Sequence, residues 1–126
     1  MDREFIQPSN VRTVRYLSQA VKVGNTVYVS GQIAWDANGD IVGKGDFSAQ
    51  VAQVFRNAES VLNAAQASVK DIVKITTYVT CASDAARWRQ EREKYFPDNP
   101  PASTTIIAAG LAQPDYLIEV EAIAVI

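Results

Sequence analysis

The sequence has no histidine. That absence removes the Ser-His-Asp triad, the Cys-His nucleophile pair and any imidazole-ligated metal. Cysteine is nearly absent too. Cys81 stands alone, so neither an intramolecular disulfide nor a thiolate zinc site can form. The chain starts Met1-Asp2-Arg3-Glu4, without the apolar stretch of a secretory leader. With a single thiol, this gives the expectation of a cytoplasmic protein. No apolar run approaches the ~20 residues of a membrane span, so no membrane partner is expected. Basic charge is not in surplus. Twelve Lys and Arg face fourteen Asp and Glu, for a net charge of −2. Phosphate backbones are held by clustered cations, so nucleic acid is not an expected partner. Chemistry is left to carboxylates, hydroxyls, backbone groups, arginine and water.

What is present suits one domain, residues 1–126, long enough to close a core without disulfide or metal. Residues 1–10 are polar around Pro8-Ser9-Asn10 and read as an arm or short loop. Val14–Val23 and Val27–Trp35 flank Gly24-Asn25, which predicts an antiparallel hairpin. Asp36-Ala37-Asn38-Gly39-Asp40 is a turn, and Ile41-Val42 a short strand or extended connection. Val51, Val54, Phe55, Ala58, Val61, Leu62 and Ala65 form one stripe at helical period, which predicts a helix over Ser48–Ala65 capped by Asp46 or Ser48. Gln50, Gln53, Arg56, Asn57 and Glu59 fall on its other side. Ile72–Thr80 reads as a strand. Ala85–Tyr95 reads as a second helix, capped by Ser83-Asp84 and stopped by the prolines from Pro97 onward. Thr104–Ala108 and Leu117–Val125 read as strands.

The predicted order is β-β-α-β-α-β-β, an α+β fold with a mixed β-sheet and both helices packed on one face. The other sheet face is left partly apolar, which points to oligomerisation.

Several residues are candidates for chemistry, each with two readings. Ser30-Gly31-Gln32 ends a strand. Its glycine permits either a bulge or close approach by a ligand. Glu119 and Glu121 share a strand face with Leu117 and Ile123. A partly buried carboxylate there suits acid/base work, while an exposed one is a solvated face or an ion pair. Ser103-Thr104-Thr105 could bind a carboxylate or a water, or be turn and strand residues. No histidine activates a serine nucleophile. Arg87, Arg89 and Arg92, beside Glu91 and Glu93, suit intrahelical ion pairs. Cys81, between strand and helix, is expected to be buried or half-buried, with a reactive role as the alternative.

Taken together, several segments resemble the RidA (YjgF) family. They are Ser18-Gln19-Ala20-Val21, Val27-Tyr28-Val29-Ser30-Gly31-Gln32-Ile33, Gly45-Asp46 leading to Gln50, Gln53 and Val54, and Asn57 to Leu62. Asp71-Ile72-Val73-Lys74, Tyr95-Phe96, Pro101-Ala102 and Ile118 to Val125 complete the likeness, which covers nearly the whole chain in order. The resemblance implies a chorismate-mutase-like subunit in a homotrimeric barrel, with ligand clefts between subunits. It also implies hydrolysis of enamines and imines such as 2-aminoacrylate to a keto acid and ammonia, with no metal or organic cofactor. The family's water-positioning glutamate falls on Glu119, and its strand glycine on Gly31 beside Ser30.

Other positions depart from the family. The family's Pro-Ala-Arg-Ser becomes Pro101-Ala102-Ser103-Thr104, so Ser103 replaces the arginine that holds the substrate carboxylate. The family tyrosine falls on Leu17, with Tyr16 adjacent, and an asparagine of the second helix falls on Arg89. A lost bidentate contact at a buried site costs several kcal/mol. Weak or absent activity on 2-aminoacrylate-type imines is therefore expected, unless Arg89, Arg15 or Arg12 supplies a displaced cation. The reading is a cofactor-free hydrolase of the enamine/imine deaminase type with altered substrate preference. Its ligand is a small carbonyl or imine compound, bound around Ser30, Gly31, Leu17, Tyr16, Arg89, Ala102, Ser103 and Thr104. The alternatives are a non-catalytic metabolite-binding trimer and a ribonuclease or translation inhibitor.

Overall fold

The computed structural model describes residues 1–126. The apolar stripe forms the helix expected of it, α1 (Phe47–Ala64), and Asp46 caps it by accepting the Ala49 N–H at 3.1 Å. The stripe buries Val51, Val54, Phe55, Val61 and Leu62. Six strands make one sheet: β1 (Arg3–Ile6), β2 (Ala20–Val23), β3 (Thr26–Gln32), β4 (Ile72–Val79), β5 (Ala102–Ile107) and β6 (Ile118–Val125). Their spatial order is β1-β2-β3-β6-β4-β5. Every pair is antiparallel except β4–β5, whose parallel pairing is bridged by the second helix, α2 (Ala82–Glu91). Both helices lie on one side of the sheet, α1 against β3 and β6, α2 against β4 and β5. The mixed-sheet, two-helix reading therefore holds.

The turn between β2 and β3 is Gly24-Asn25, with Val23 paired to Thr26. Gly24 has φ +59°, a conformation glycine adopts without strain in a two-residue hairpin.

Several boundaries differ from expectation: β3 stops at Gln32 rather than Trp35, α2 starts at Ala82 rather than Ala85, and β5 runs two residues earlier at its start. Three further differences have a clear physical reason. The N-terminal arm is a strand, because Arg3–Ile6 pairs with β2 at the sheet's edge, where charged side chains meet solvent. The extra strand is thus at the N-terminus; Ile41 makes only an isolated bridge to Trp35. β2 begins at Ala20 rather than Val14, since the chain turns at Tyr16, where φ is +71°. The α-helical part of α2 ends at Glu91, and a 3-10 turn, Arg92–Lys94, carries the chain to Pro97. Cys81 occupies the N-cap position of α2, in place of Ser83-Asp84, and it is exposed rather than buried.

The core closes around Phe55, which stacks on Tyr95 at 4.0 Å and on Trp88 at 5.7 Å. Truncating a buried aromatic of this kind costs about 3–5 kcal/mol.

The polar side of α1 is not solvated as the pattern suggested. Gln50, Gln53 and Asn57 are all buried. Gln50 Nε2 donates to the Gly43 and Asp115 carbonyls, and Gln50 Oε1 accepts the Leu117 N–H at 3.0 Å. Asn57 Nδ2 donates to the carbonyls of Ile33 (3.0 Å) and Trp35 (2.8 Å), and Gln53 Nε2 to that of Trp35. These amides replace water for loop carbonyls at the end of β3 and the start of β6. They fix the two segments that frame the site.

Candidate functional site

β6 alternates cleanly: Ile118, Val120, Ala122 and Ala124 are buried under the helices, while Glu119, Glu121 and Ile123 face away from them. β3 pairs regularly with β6 up to Val29↔Ala122, then shifts register before Gln32↔Val120. Ser30 and Gly31 lie in that irregularity. Gln32, fully buried, holds it by donating to the Ser30 carbonyl (3.0 Å) and to Gln19 Oε1 (2.8 Å). Gln19 in turn donates to the Arg12 carbonyl at 2.9 Å. The Ser30 hydroxyl donates to the Ser18 carbonyl at 2.6 Å, which ties β3 to the segment before β2.

The absence of a side chain at residue 31 is what admits Glu119. A Cβ built on Gly31 would sit 2.8 Å from Glu119 Cδ and closer still to one carboxylate oxygen. The carboxylate therefore rests against the backbone of the β3 bulge. Burial, and then the neighbouring Glu121 carboxylate, raise the Glu119 pKa above the ordinary value. Glu121 itself is exposed and accepts the Tyr78 hydroxyl at 2.6 Å. Of the two glutamates, Glu119 is the half-buried one with raised proton affinity.

Glu119 opens into a cleft of about 400 Å³, shared with Leu17, Ser30, Gly31, Arg12 and Trp35. The Arg12 guanidinium lies over the Trp35 ring at 4.5 Å, and Trp35 meets Tyr116 edge to face at 6.1 Å.

The remaining candidates lie elsewhere in the single chain. Side chains of parallel partners share a face, and Ser103 pairs with the buried Ile75. Ser103 therefore points to the helix side and lines a second cavity of about 420 Å³ with Arg89, Arg92 and Trp88. Ala102 and Thr104 face the other way; Thr104 Oγ1 accepts from Lys74 Nζ at 2.9 Å. Tyr16 is 90% exposed, under the Arg15 guanidinium, and does not line the Glu119 cleft. The Cys81 thiol sits 3.2 Å from the Ser83 hydroxyl. No cluster of three or more Asp, Glu or Cys residues is placed to hold a metal. No helix is long and apolar enough to cross a membrane.

Trp35 and Tyr116 were not singled out from sequence. Both lie in irregular segments without period. The only signal was an aromatic residue at the end of a strand, just before a turn.

The sequence profile of the family described as endoribonuclease L-PSP matches residues 8–126. The 3-aminoacrylate deaminase RutC of Acinetobacter baylyi is 35% identical over 105 residues, which is 83% of this chain and 82% of that protein. The 2-iminobutanoate/2-iminopropanoate deaminase of Dermatophagoides farinae is 33% identical over 109 residues, 86% and 84% of the two chains. Among solved structures, RidA from an Antarctic Psychrobacter superposes with a TM-score of 0.90 at 34% identity, covering 98% of this chain and 99% of that one. Escherichia coli TdcF with bound serine superposes at 0.88 with 28% identity, covering 98% of each chain.

Proposed function

This chain belongs to the endoribonuclease L-PSP family, the family of RidA, and from that premise we propose that it is a cofactor-free hydrolase of enamines or imines. Homologues at 35% and 33% identity are named as deaminases, which supports this reaction class. The observation that carries the reading to this chain is Glu119, a half-buried carboxylate of raised proton affinity seated on the side-chain-free face of Gly31 and open to a cleft.

In the reaction an enamine first takes a proton from water on carbon to become the iminium form of the imine. The Glu119 carboxylate then accepts a proton from a water whose oxygen bonds to the iminium carbon, which gives a neutral carbinolamine. Glu119 returns that proton to nitrogen as the C–N bond breaks, and the hydroxyl proton passes to the hydroxide left by the first step, so that ammonia and the carbonyl remain. A base is most effective when its pKa lies near the working pH, and burial moves Glu119 in that direction. Main-chain N–H groups at the β3 bulge and at Ala102–Thr104 are the candidates for stabilising developing charge.

The active assembly in this proposal is a cytoplasmic homotrimer with clefts between subunits. Its support is the sheet face turned away from the helices, where Tyr28 and Val125 are 50% and 39% exposed. In such a trimer Arg89 and Ser103 of one subunit reach a neighbour's cleft. With serine at 103, substrate preference differs from that for 2-aminoacrylate.

A second reading, a metabolite-binding trimer without turnover, is favoured by the serine bound to the TdcF relative. The family's description names an endoribonuclease. A net charge of −2 speaks against RNA as substrate here.

The test is ammonia release from freshly generated 2-aminoacrylate and from imines of larger amino acids, wild type beside Glu119→Ala. We expect Glu119→Ala to lose at least about 100-fold in turnover, as removal of a general base does, while remaining folded. Equal turnover in the two proteins rejects the hydrolase reading.

A further inference from the structure

Three cavities of similar size carry arginine, and only one of them also holds Glu119. Arg12 is the one cation that its own chain places there. Its guanidinium makes no hydrogen bond within the chain and has no carboxylate within ion-pair distance. It is nevertheless held in place. The ring of Trp35 lies beneath it at 4.5 Å. The Arg12 main chain is tied through Gln19 to Gln32 of the β3 bulge. The turn at Gly39 packs so closely that a Cβ there would sit 2.8 Å from Arg12 Nε. A charge that is partly buried, positioned from three sides and left without a counter-ion is arranged for an anion from outside.

The Trp35 indole N–H gives a second, independent sign. It is buried with no hydrogen-bond partner, although Trp35 lines this cleft. An unpaired buried donor is unfavourable, and an acceptor on a ligand that reaches it would satisfy it. The rest of the wall is mixed: Val14, Leu17, Ile33, Ala112 and Tyr116 are apolar, and Gln19, Ser30 and Gln113 are polar, with the apolar side chains forming the larger part. A volume near 400 Å³ falls in the range of small-molecule sites and leaves room for a side chain beyond a three-carbon acid.

We propose that Arg12 holds the substrate's carboxylate in the Glu119 cleft, and that the substrate is a carboxylate-bearing imine or enamine with an apolar body. This assignment rests on the hydrolase reading for the reaction, but not for the binding. The guanidinium missing at position 103 is replaced from the segment before β2, and the cleft wall selects the larger side chain.

Binding and turnover are measured separately. The probes are 4-methyl-2-oxopentanoate, pyruvate and the uncharged 4-methyl-2-pentanone, titrated calorimetrically into the full chain. Wild type is expected to bind 4-methyl-2-oxopentanoate at least about 10-fold tighter than pyruvate. Arg12→Gln should weaken the branched keto acid about 10- to 100-fold, the usual loss for a charged hydrogen-bonding partner. It should leave the ketone unchanged, which a merely structural role for Arg12 would not do. Arg12→Lys should recover part of the loss, and Arg87→Gln, which removes the same charge from an exposed site, should lose nothing.

Ammonia release from the imine of leucine is followed in parallel. Arg12-dependent binding without ammonia release sinks the hydrolase reading and leaves the Arg12 assignment standing. The assignment is overturned if Arg12→Gln binds the keto acid as wild type does, if it weakens ketone and keto acid alike, if Arg89→Gln alone abolishes binding, or if wild type binds neither keto acid.

Discussion

Glu119 and Glu121 sit two residues apart on one face of one strand, yet their surroundings separate them. Burial raises the Glu119 pKa first and Glu121 adds to it, whereas Glu121 is exposed and hydrogen-bonded by Tyr78. A base must be deprotonated to work, so kcat/KM should rise with pH through the Glu119 pKa and fall away below it. The acid limb should lie above the ordinary carboxylate range. Glu121→Gln removes the smaller cause, so the limb should move to lower pH without reaching the ordinary value. A pH–rate profile of both proteins checks this; a limb that does not move rejects the coupling.

Gly31 is tested at the same scale. Gly31→Ala places a methyl group where the carboxylate lies, and a flexible side-chain end can move aside. The fold should therefore survive, with a stability loss of about 1 kcal/mol or less, within the range of tolerated substitutions. Turnover should fall at least about 10-fold as Glu119 is displaced, given how steeply rate depends on placement. Thermal melting and ammonia release read the two effects separately.

At the scale of elements, α1 serves two purposes. Its apolar stripe covers the sheet, and its buried amides hold the loops that frame the cleft. Asn57 is the clearest case, donating to the carbonyls of both Ile33 and Trp35. Asn57→Ala leaves those carbonyls unpaired and should cost about 2–3 kcal/mol in urea unfolding, on the usual scale for stranded buried groups. Because Trp35 carries Arg12, the same variant should also weaken keto-acid binding. A stable variant with unaltered binding would show that α1 does not support the cleft.

These amides also mark a limit of pattern reading. The heptad-like spacing located α1 to within a residue at each end. It assigned Gln50, Gln53 and Asn57 to the solvent side because they are polar. The structure buries them because loop carbonyls lie opposite, and no local pattern records that.

For the whole molecule, the proposed assembly rests on the sheet face away from the helices. Tyr28 pairs across strands with Ile123, and Val125 lies on the same face. A single chain leaves the apolar part of this face, Tyr28, Ile123 and Val125, in water, whereas a closed symmetric oligomer would cover it. Light scattering should give about three times the 13.8 kDa of one chain. Ile123→Asp should shift the protein to monomer by placing a charge in the contact. A wild-type monomer at micromolar concentration would reject the trimer.

The sequence by itself determined what is local or compositional. The missing histidines exclude whole classes of chemistry. The 3.6-residue stripe makes α1, the Gly24-Asn25 turn joins β2 to β3, and period-two alternation puts Glu119 and Glu121 on one face of β6. Only the tertiary structure decided which polar groups meet. Arg12, Gly31 and Trp35 come from the first third of the chain, and Tyr116 and Glu119 from its end. They share one cleft because a register shift in β3, a chain reversal at Tyr16 and the amides of α1 bring them together. Ser103 and Thr104 are adjacent in sequence and point to opposite sides of the sheet. Periodicity fixes which way a side chain faces on its own element. What it faces depends on how distant elements pack, and that is where the chemistry of this protein is set.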